Sequence, residues 1–134
     1  MRPVAAALAM IAALAAAAGD AQRRPRPESQ LRLGACARTT IAEVTQRLSD
    51  GDTGAVMPNS GSAVRFANGL GQVSYDQVAP LNESRRGDPV FVCLVALPQD
   101  CPPGDDRGKL YTTTNLRTYE SWTLPDSAHG CGGA

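Results

Sequence analysis

The chain has 134 residues, of which 43% are apolar and 19% are charged, and its 13 basic residues balance its 13 acidic ones. This length lies near the commonest size of a single domain. A net charge of zero disfavours both a strongly basic nucleic-acid-binding protein and a polyacidic buffer.

The first 21 residues have the three-part layout of a secretory signal peptide. Arg2 supplies the positive start, residues 4–18 form an uninterrupted apolar run, and Ala18 and Ala21 offer cleavage sites. A helical run of this length spans about 22 Å, less than the roughly 30 Å of a bilayer's hydrocarbon core. A signal is therefore favoured over a transmembrane anchor. The sequence predicts an exported protein, periplasmic or secreted, without stable membrane insertion after cleavage.

Residues 22–35 are predicted to form a flexible basic arm ahead of a folded domain at residues 36–134. Four arginines against one glutamate give the arm a net charge of +3. Few apolar side chains are available there to offset the entropy of ordering. Such an arm could contact an anionic surface, but a solvated linker is the simpler interpretation.

The segment at residues 39–48 fits two structures. Residues 40–43, Thr-Ile-Ala-Glu, match a helix capping box, and Ile41, Val44 and Leu48 recur at helical spacing. The segment is also rich in β-branched residues, which favour an extended chain. We predict a first strand here, with a short helix as the alternative.

Two β-hairpins and one apolar strand are predicted after this segment. Residues 62–67 and 72–76 alternate in polarity around an Asn-Gly-Leu-Gly turn, which is typical of a hairpin. Residues 90–97 are apolar on both faces, as in a central strand. A second hairpin is expected from residues 109–117 and 121–124. Together these elements predict an all-β fold, a small antiparallel barrel or sandwich of five to six strands.

The four cysteines, Cys36, Cys93, Cys101 and Cys131, predict two disulfides in an exported chain. Zinc is disfavoured because there is no Cys-x-x-Cys pair and only one histidine. Three pairings are possible. If residues 90–97 pair with the next strand, Cys101 lies in the loop beyond that hairpin, at the end to which the chain later returns. This topology favours Cys101 with Cys131, and hence Cys36 with Cys93.

Two short motifs offer functional alternatives to ordinary turns. Asp100, Asp105 and Asp106 form an acidic loop that could bind calcium, although the ligand spacing of an EF-hand is absent. Residues 86–88 spell Arg-Gly-Asp, the cell-adhesion tripeptide. A tight turn that launches the strand at Pro89 is the simpler interpretation.

His129 is the only histidine and lies close in sequence to Asp126 and Ser127. Members of a catalytic triad normally converge from separate elements, so a surface histidine is the favoured interpretation. The sequence contains no phosphate-binding glycine loop and no serine-hydrolase elbow. We therefore assign no catalytic residue and expect no cofactor.

A candidate binding surface combines cationic and aromatic side chains, which dominate interface hot spots. Alternatively, the tryptophan and one tyrosine fill the core, and the arginines are merely solvated. The candidate residues are Arg85, Arg86, Arg107, Lys109, Arg117, Tyr111 and Trp122.

The C-terminal half contains Cys-Pro-Pro-Gly-Asp-Asp-Arg-Gly at residues 101–108 and Asp-Ser-Ala-His-Gly-Cys-Gly-Gly-Ala at residues 126–134. With Cys93 and the hairpin at residues 61–76, these segments resemble a group of small uncharacterised exported proteins of bacteria. The resemblance implies export and a compact disulfide-linked domain, and it carries no known activity.

These observations predict a secreted or periplasmic binding module without enzymatic activity. Its partner would be an envelope or extracellular protein or an anionic surface, and not a nucleic acid. Two alternatives remain: a small secreted hydrolase that uses His129, and a purely structural envelope component.

Overall fold

The computed structural model describes residues 30–133, so the predicted signal peptide and residues 22–29 of the predicted arm lie outside the described part. Its strands are β1 (Cys36–Gln46), β2 (Ser62–Phe66), β3 (Gly71–Ser74), β4 (Pro89–Ala96), β5 (Leu110–Asn115) and β6 (Ser121–Pro125), and a short helix, α1, spans Ala79–Asn82. They form one antiparallel sheet in the order β3-β2-β1-β4-β5-β6, curled into a half-barrel. The predicted all-β class is confirmed. Within the described range, no helix is long and apolar enough to cross a membrane.

The local predictions along the chain are largely confirmed. Strands β2 and β3 form the first predicted hairpin, and β5 and β6 form the second. Residues 39–46 of the ambiguous segment at 39–48 belong to the longer strand β1, residues 47–48 lie beyond its end, and the helical alternative is wrong. Its β-branched side chains suit a pleated surface, which outweighs the local capping-box signal.

Strand β4 lies in the middle of the sheet, as predicted, but only one of its faces is buried. Val90, Val92 and Leu94 are at most 1% exposed, whereas Phe91 and Val95 on the other face are 43% and 45% exposed. The implied burial of both faces is therefore wrong. A single curled sheet encloses one core, so each strand turns its other face to solvent.

Both predicted disulfides are present. Cys36 and Cys93 are directly opposite each other on β1 and β4, and their sulfurs are bonded. Cys101 in the loop after β4 is bonded to Cys131 in the segment after β6. One bridge thus joins the two central strands of the sheet, β1 and β4, and the other joins the C-terminal segment to the β4–β5 loop.

The boundary predicted between arm and domain needs correction. Leu31 packs against the core. The Gly34 N–H donates to the Leu94 carbonyl (2.8 Å), and the Leu94 N–H donates to the Ala35 carbonyl (3.0 Å). Residues 31–35 are therefore part of the folded domain. A leucine flanked by polar residues gives no sequence signal of this packing.

The half-barrel closes at a seam between its two edge strands, β3 and β6, through one buried amide. Gln72 on β3 is 2% exposed. Its Nε2 donates to the Tyr111 carbonyl (2.6 Å) and the Leu124 carbonyl (3.1 Å). Its Oε1 accepts hydrogen bonds from Thr113 Oγ1 (2.6 Å) and Trp122 Nε1 (2.9 Å). All four hydrogen-bonding positions of the amide are used.

Candidate functional site

Strand β1 changes partner halfway along its length. Residues 36–40 pair with β4, and residues 41–46 pair with β2, with an irregularity in the register between Ile41 and Glu43. Such a bulge bends a strand and increases its twist. It lets one continuous strand belong to both halves of the curled sheet.

Beyond Ile41, the chain that leads into β4 leaves the side of β1. The Ile41 N–H donates to the Asp88 carbonyl (3.0 Å), and the Ile41 carbonyl accepts from the Gly87 N–H (2.8 Å). Gly87 has a φ of +90°, a left-handed conformation that favours glycine. The preceding residues therefore turn away toward α1 instead of continuing along β1.

The departure of that chain leaves one edge of β1 without a neighbouring strand in the described structure. The Arg47 N–H donates to the Gly61 carbonyl (3.2 Å), toward β2. Backbone groups alternate in direction along an antiparallel strand, so Thr45 also faces β2. The backbone N–H and C=O groups of Val44 and Gln46 consequently point away from β2, toward the open side.

An open groove borders this edge. It has a volume of about 820 Å³, and its apolar lining includes Val44, Phe66 and Leu70. Ser84 and Arg86 form the wall opposite β1. A smaller cavity of about 350 Å³ shares Val44 and continues along the strand; it is lined by Val44, Thr45, Gln46, Val56 and Asn82.

The groove carries one positive charge that is not neutralised by an ion pair. Arg65 and Glu43 both line it, but they neutralise each other, because Arg65 Nη2 and Nε lie 2.7 and 3.0 Å from Glu43 Oε2. Arg86 is exposed, and no salt bridge joins it to another of residues 30–133. A ligand in the groove would therefore meet a guanidinium group available to bind a carboxylate.

The wall that carries Arg86 is held by a buried polar network around Asp88. Arg117 Nε donates to Asp88 Oδ1 (2.7 Å). Asp88 Oδ2 accepts from Asn115 Nδ2 (2.9 Å) and from the Arg85 N–H (2.9 Å). Asn115 Nδ2 also donates to Ser84 Oγ (2.8 Å). Hydrogen bonding by Arg117, followed by that of Asn115 and Arg85, holds the pKa of Asp88 well below its usual range.

This network settles the role of the Arg-Gly-Asp sequence at residues 86–88. Asp88 is 6% exposed, and both of its carboxylate oxygens accept internal hydrogen bonds. The tripeptide is therefore a tight turn before β4, as the simpler interpretation predicted. Its aspartate is not presented for adhesion.

The predicted cationic and aromatic surface must be corrected. Tyr111 and Trp122 are only 3% and 5% exposed, because they lie on the core-facing sides of β5 and β6. They belong to the core, as the alternative interpretation held. Burial raises the pKa of Tyr111 above its usual value, with smaller contributions from Asp126 and Asp106.

The five cationic members of that surface do not form one patch around the groove. Only Arg86 lines it. Arg85 is exposed nearby in sequence. The other three engage carboxylates elsewhere: Arg107 pairs with Asp105, Lys109 with Asp106, and Arg117 with Asp88.

The acidic loop is organised by ion pairs. Asp105 accepts two hydrogen bonds of 2.8 Å from the Arg107 side chain and one of 2.9 Å from the Gly132 N–H, and these hold its pKa well below the usual range. Asp106 forms an ion pair with Lys109, which lowers the pKa of Asp106 as well.

The third residue of the calcium candidate, Asp100, lies at a turn and has a φ of +55°. In residues 30–133, no group of three or more acidic, histidine or cysteine residues could hold a metal ion. Asp100, Asp105 and Asp106 therefore do not form the calcium site considered from the sequence.

His129 lies in an exposed cluster of rings and cations. Its imidazole meets the edge of Tyr75, with the ring centroids 6.4 Å apart. The Arg47 guanidinium lies 4.1 Å from the centroid of Tyr75. Among the described residues, no carboxylate forms a hydrogen bond with the imidazole, so the neighbours of His129 do not form a triad.

Of the residues that line the groove, only Arg86 belonged to the binding surface predicted from the sequence. The open edge of β1 arises from a bulge and from the departure of a distant segment, and neither changes the local polarity pattern. The strand predicted at residues 39–48 is already longer than most strands, and this length is the one sequence signal that could have indicated a strand shared between two partners.

Comparison of the chain with protein families, curated proteins and solved structures gives no match.

Proposed function

We propose that this protein is an exported binding module without enzymatic activity, and that the groove beside the β1 bulge binds a partner protein. The carrying observation is that the groove combines an open strand edge with the cation of Arg86. Two disulfides in a small domain are typical of oxidising compartments, which supports export.

The chemistry of the groove favours recognition over catalysis. Its one carboxylate, Glu43, is paired with Arg65. Its one hydroxyl, that of Ser84, donates to the Pro80 carbonyl (2.9 Å) and accepts from Asn115 (2.8 Å). Neither group is arranged as an activated nucleophile beside a base. The groove offers apolar contact, backbone groups and a cation, which are the means by which proteins bind peptides.

Site-specific photo-crosslinking tests this proposal. A benzoylphenylalanine replaces Ala67, an exposed residue of the groove lining, in cells that produce the protein. The matched control carries the same group at Arg38, an exposed position on the β4-paired half of β1. We expect a discrete protein adduct from position 67 and none from position 38, identified by mass spectrometry. No adduct at position 67, or the same adduct from both positions, overturns the proposal.

A further inference from the structure

We propose that the groove binds an extended peptide segment as an added strand along the open edge of β1, with an acidic group of that segment paired to Arg86. This inference rests on the proposed function and specifies its ligand. The first observation that supports it is the direction of the β1 backbone groups. Val44 and Gln46 direct their N–H and C=O groups to the open side, about 6.6 Å apart, which matches alternate residues of a paired strand.

The space beside β1 suits a single extended chain. Neighbouring strands lie about 4.8 Å apart. The two cavities meet at Val44, so the opening continues along the strand and is not confined to the bulge. A peptide there would form main-chain hydrogen bonds with β1 and turn alternate side chains toward Val44 and Ala67, behind which lie the core residues Phe66 and Leu70.

The two ends of the opening differ in chemistry. Arg86 stands at one end, and at the other the cavity is lined by Val56, which is 51% exposed. Leu48 and Met57, neighbours of Val56 in the same loop, are also exposed. The matching segment carries an acidic residue at one end and an apolar residue at the other.

Charge and shape distinguish this ligand from two others. Residues 22–30 of this chain, with three arginines and one glutamate, have the wrong sign to neutralise Arg86. A second copy pairing through its own β1 would bring its own flanking residues Asn82, Ser84 and Arg86 into the same space. Its remaining sheet edges, β3 and β6, are joined across the core by Gln72. An acidic, extended segment of another protein satisfies both constraints.

The test begins with a random heptapeptide phage library selected on the disulfide-bonded protein. We expect enriched sequences with β-branched residues and an acidic residue at a fixed position. The best peptide is then synthesised with N-methyl groups on one or the other set of alternate amides. Strand addition predicts that one set weakens binding at least about tenfold and that the other set has little effect. Because only the peptide is altered, this measurement does not depend on the folding of a protein variant.

Protein variants test the same contacts. Val44→Pro removes an N–H that points away from the β1–β2 ladder, so we expect weaker peptide binding. Because the Val44 side chain also packs against the core, we expect some loss of stability as well. Arg86→Ala is expected to weaken the acidic peptide about tenfold and to leave its amide counterpart unaffected. Arg85→Ala is the matched control, with a change below about twofold.

Several outcomes overturn the inference. These are an absence of enriched peptides, enriched peptides without a fixed acidic residue, and binding that responds equally to both methylation patterns. A crosslinked partner at position 67 whose binding responds equally to both patterns would leave the proposed function standing and remove only strand addition. The absence of a crosslink would remove both.

Discussion

Within residues 30–133, the half-barrel has two regions where a strand edge lacks a neighbouring strand, the β3–β6 seam and residues 42–46 of β1, and only the first is closed by the protein itself. At the seam, β3 and β6 face each other, and the Gln72 amide of β3 forms two hydrogen bonds with β6 and two with the neighbouring strand β5. Along residues 42–46 of β1, the neighbouring chain departs at Gly87 and a groove borders the edge. An exposed strand edge is a template for pairing with another chain. The molecule closes one such edge with a buried side chain and leaves the other accessible.

The difference separates a region that stabilises the fold from the region to which we assign peptide binding as a proposal. At the seam, the buried Gln72 amide uses all four of its hydrogen-bonding positions, so a substitution there leaves buried polar groups unpaired. The β1 edge is bordered by the open groove, whose opposite wall is held from behind by Asp88 and Arg117. A rigid wall keeps the groove open without a ligand, which lowers the entropic cost of binding.

The largest expected effect comes from breaking the seam. Gln72→Leu leaves the Trp122 Nε1–H and the Thr113 hydroxyl buried without their acceptor. Each stranded group costs about 1 to 3 kcal/mol, so we expect a loss of about 3 kcal/mol in the free energy of unfolding. Urea denaturation followed by circular dichroism measures it. The exposed Gln99→Ala serves as control, with a change within about 0.5 kcal/mol. A loss below about 1 kcal/mol for Gln72→Leu would show that the amide does not hold the seam.

A smaller effect is expected where the groove wall is anchored. Asp88→Asn places an amide nitrogen against the donors of Asn115 and Arg85, or loses the charge-assisted bond to Arg117. We expect a loss of about 2 kcal/mol near pH 7, measured by urea denaturation. Hydrogen exchange of the Gly87 amide should also become faster, because its bond to Ile41 depends on the position of this wall.

The pH dependence provides the check on Asp88. Its folded pKa lies below the unfolded value of about 3.9, so its contribution is present above that pH and is lost as the pH falls below it. The wild type should lose stability on acidification from pH 5 to pH 3, and Asp88→Asn should lose less over the same interval. Parallel curves for the two proteins would contradict the role assigned to this carboxylate.

The smallest effect is expected outside both regions. Tyr119 in the β5–β6 turn has a φ of +61° and is 83% exposed. A non-glycine residue is strained in this conformation, so Tyr119→Gly should stabilise the fold by about 0.5 to 1 kcal/mol. Thermal unfolding measures the gain, and peptide affinity should not change. A lower melting temperature would show that the tyrosine ring contributes more than its backbone costs.

The sequence was most informative where structure depends on neighbours in the chain. Alternating polarity and turn residues predicted both hairpins, and the order of the strands was enough to choose the pairing of Cys101 with Cys131. These features follow from local periodicity and the path of the chain.

The sequence was least informative where distant residues meet. Gln72 lies in a polar position of a short strand, and nothing nearby indicates that its amide is buried against β5 and β6. Trp122 and Tyr111 could have faced either way, because each strand's register decides which side chains point inward. The groove depends on Gly87 leaving β1, which is visible only once the sheet is assembled.

The two partners of β1 also lie at different distances along the chain. Strand β2 begins 16 residues after β1 ends, whereas Cys36 and Cys93 are 57 residues apart. Nearby pairings close shorter loops and form faster, and the N-terminal part of a chain emerges first during synthesis. The β1–β2–β3 meander is thus expected to form while Cys36 still lacks its partner. Oxidation of Cys36 with Cys93 can then follow only once β4 has paired with β1, so this bridge joins the meander to the strands that follow it and is not the first step of sheet formation.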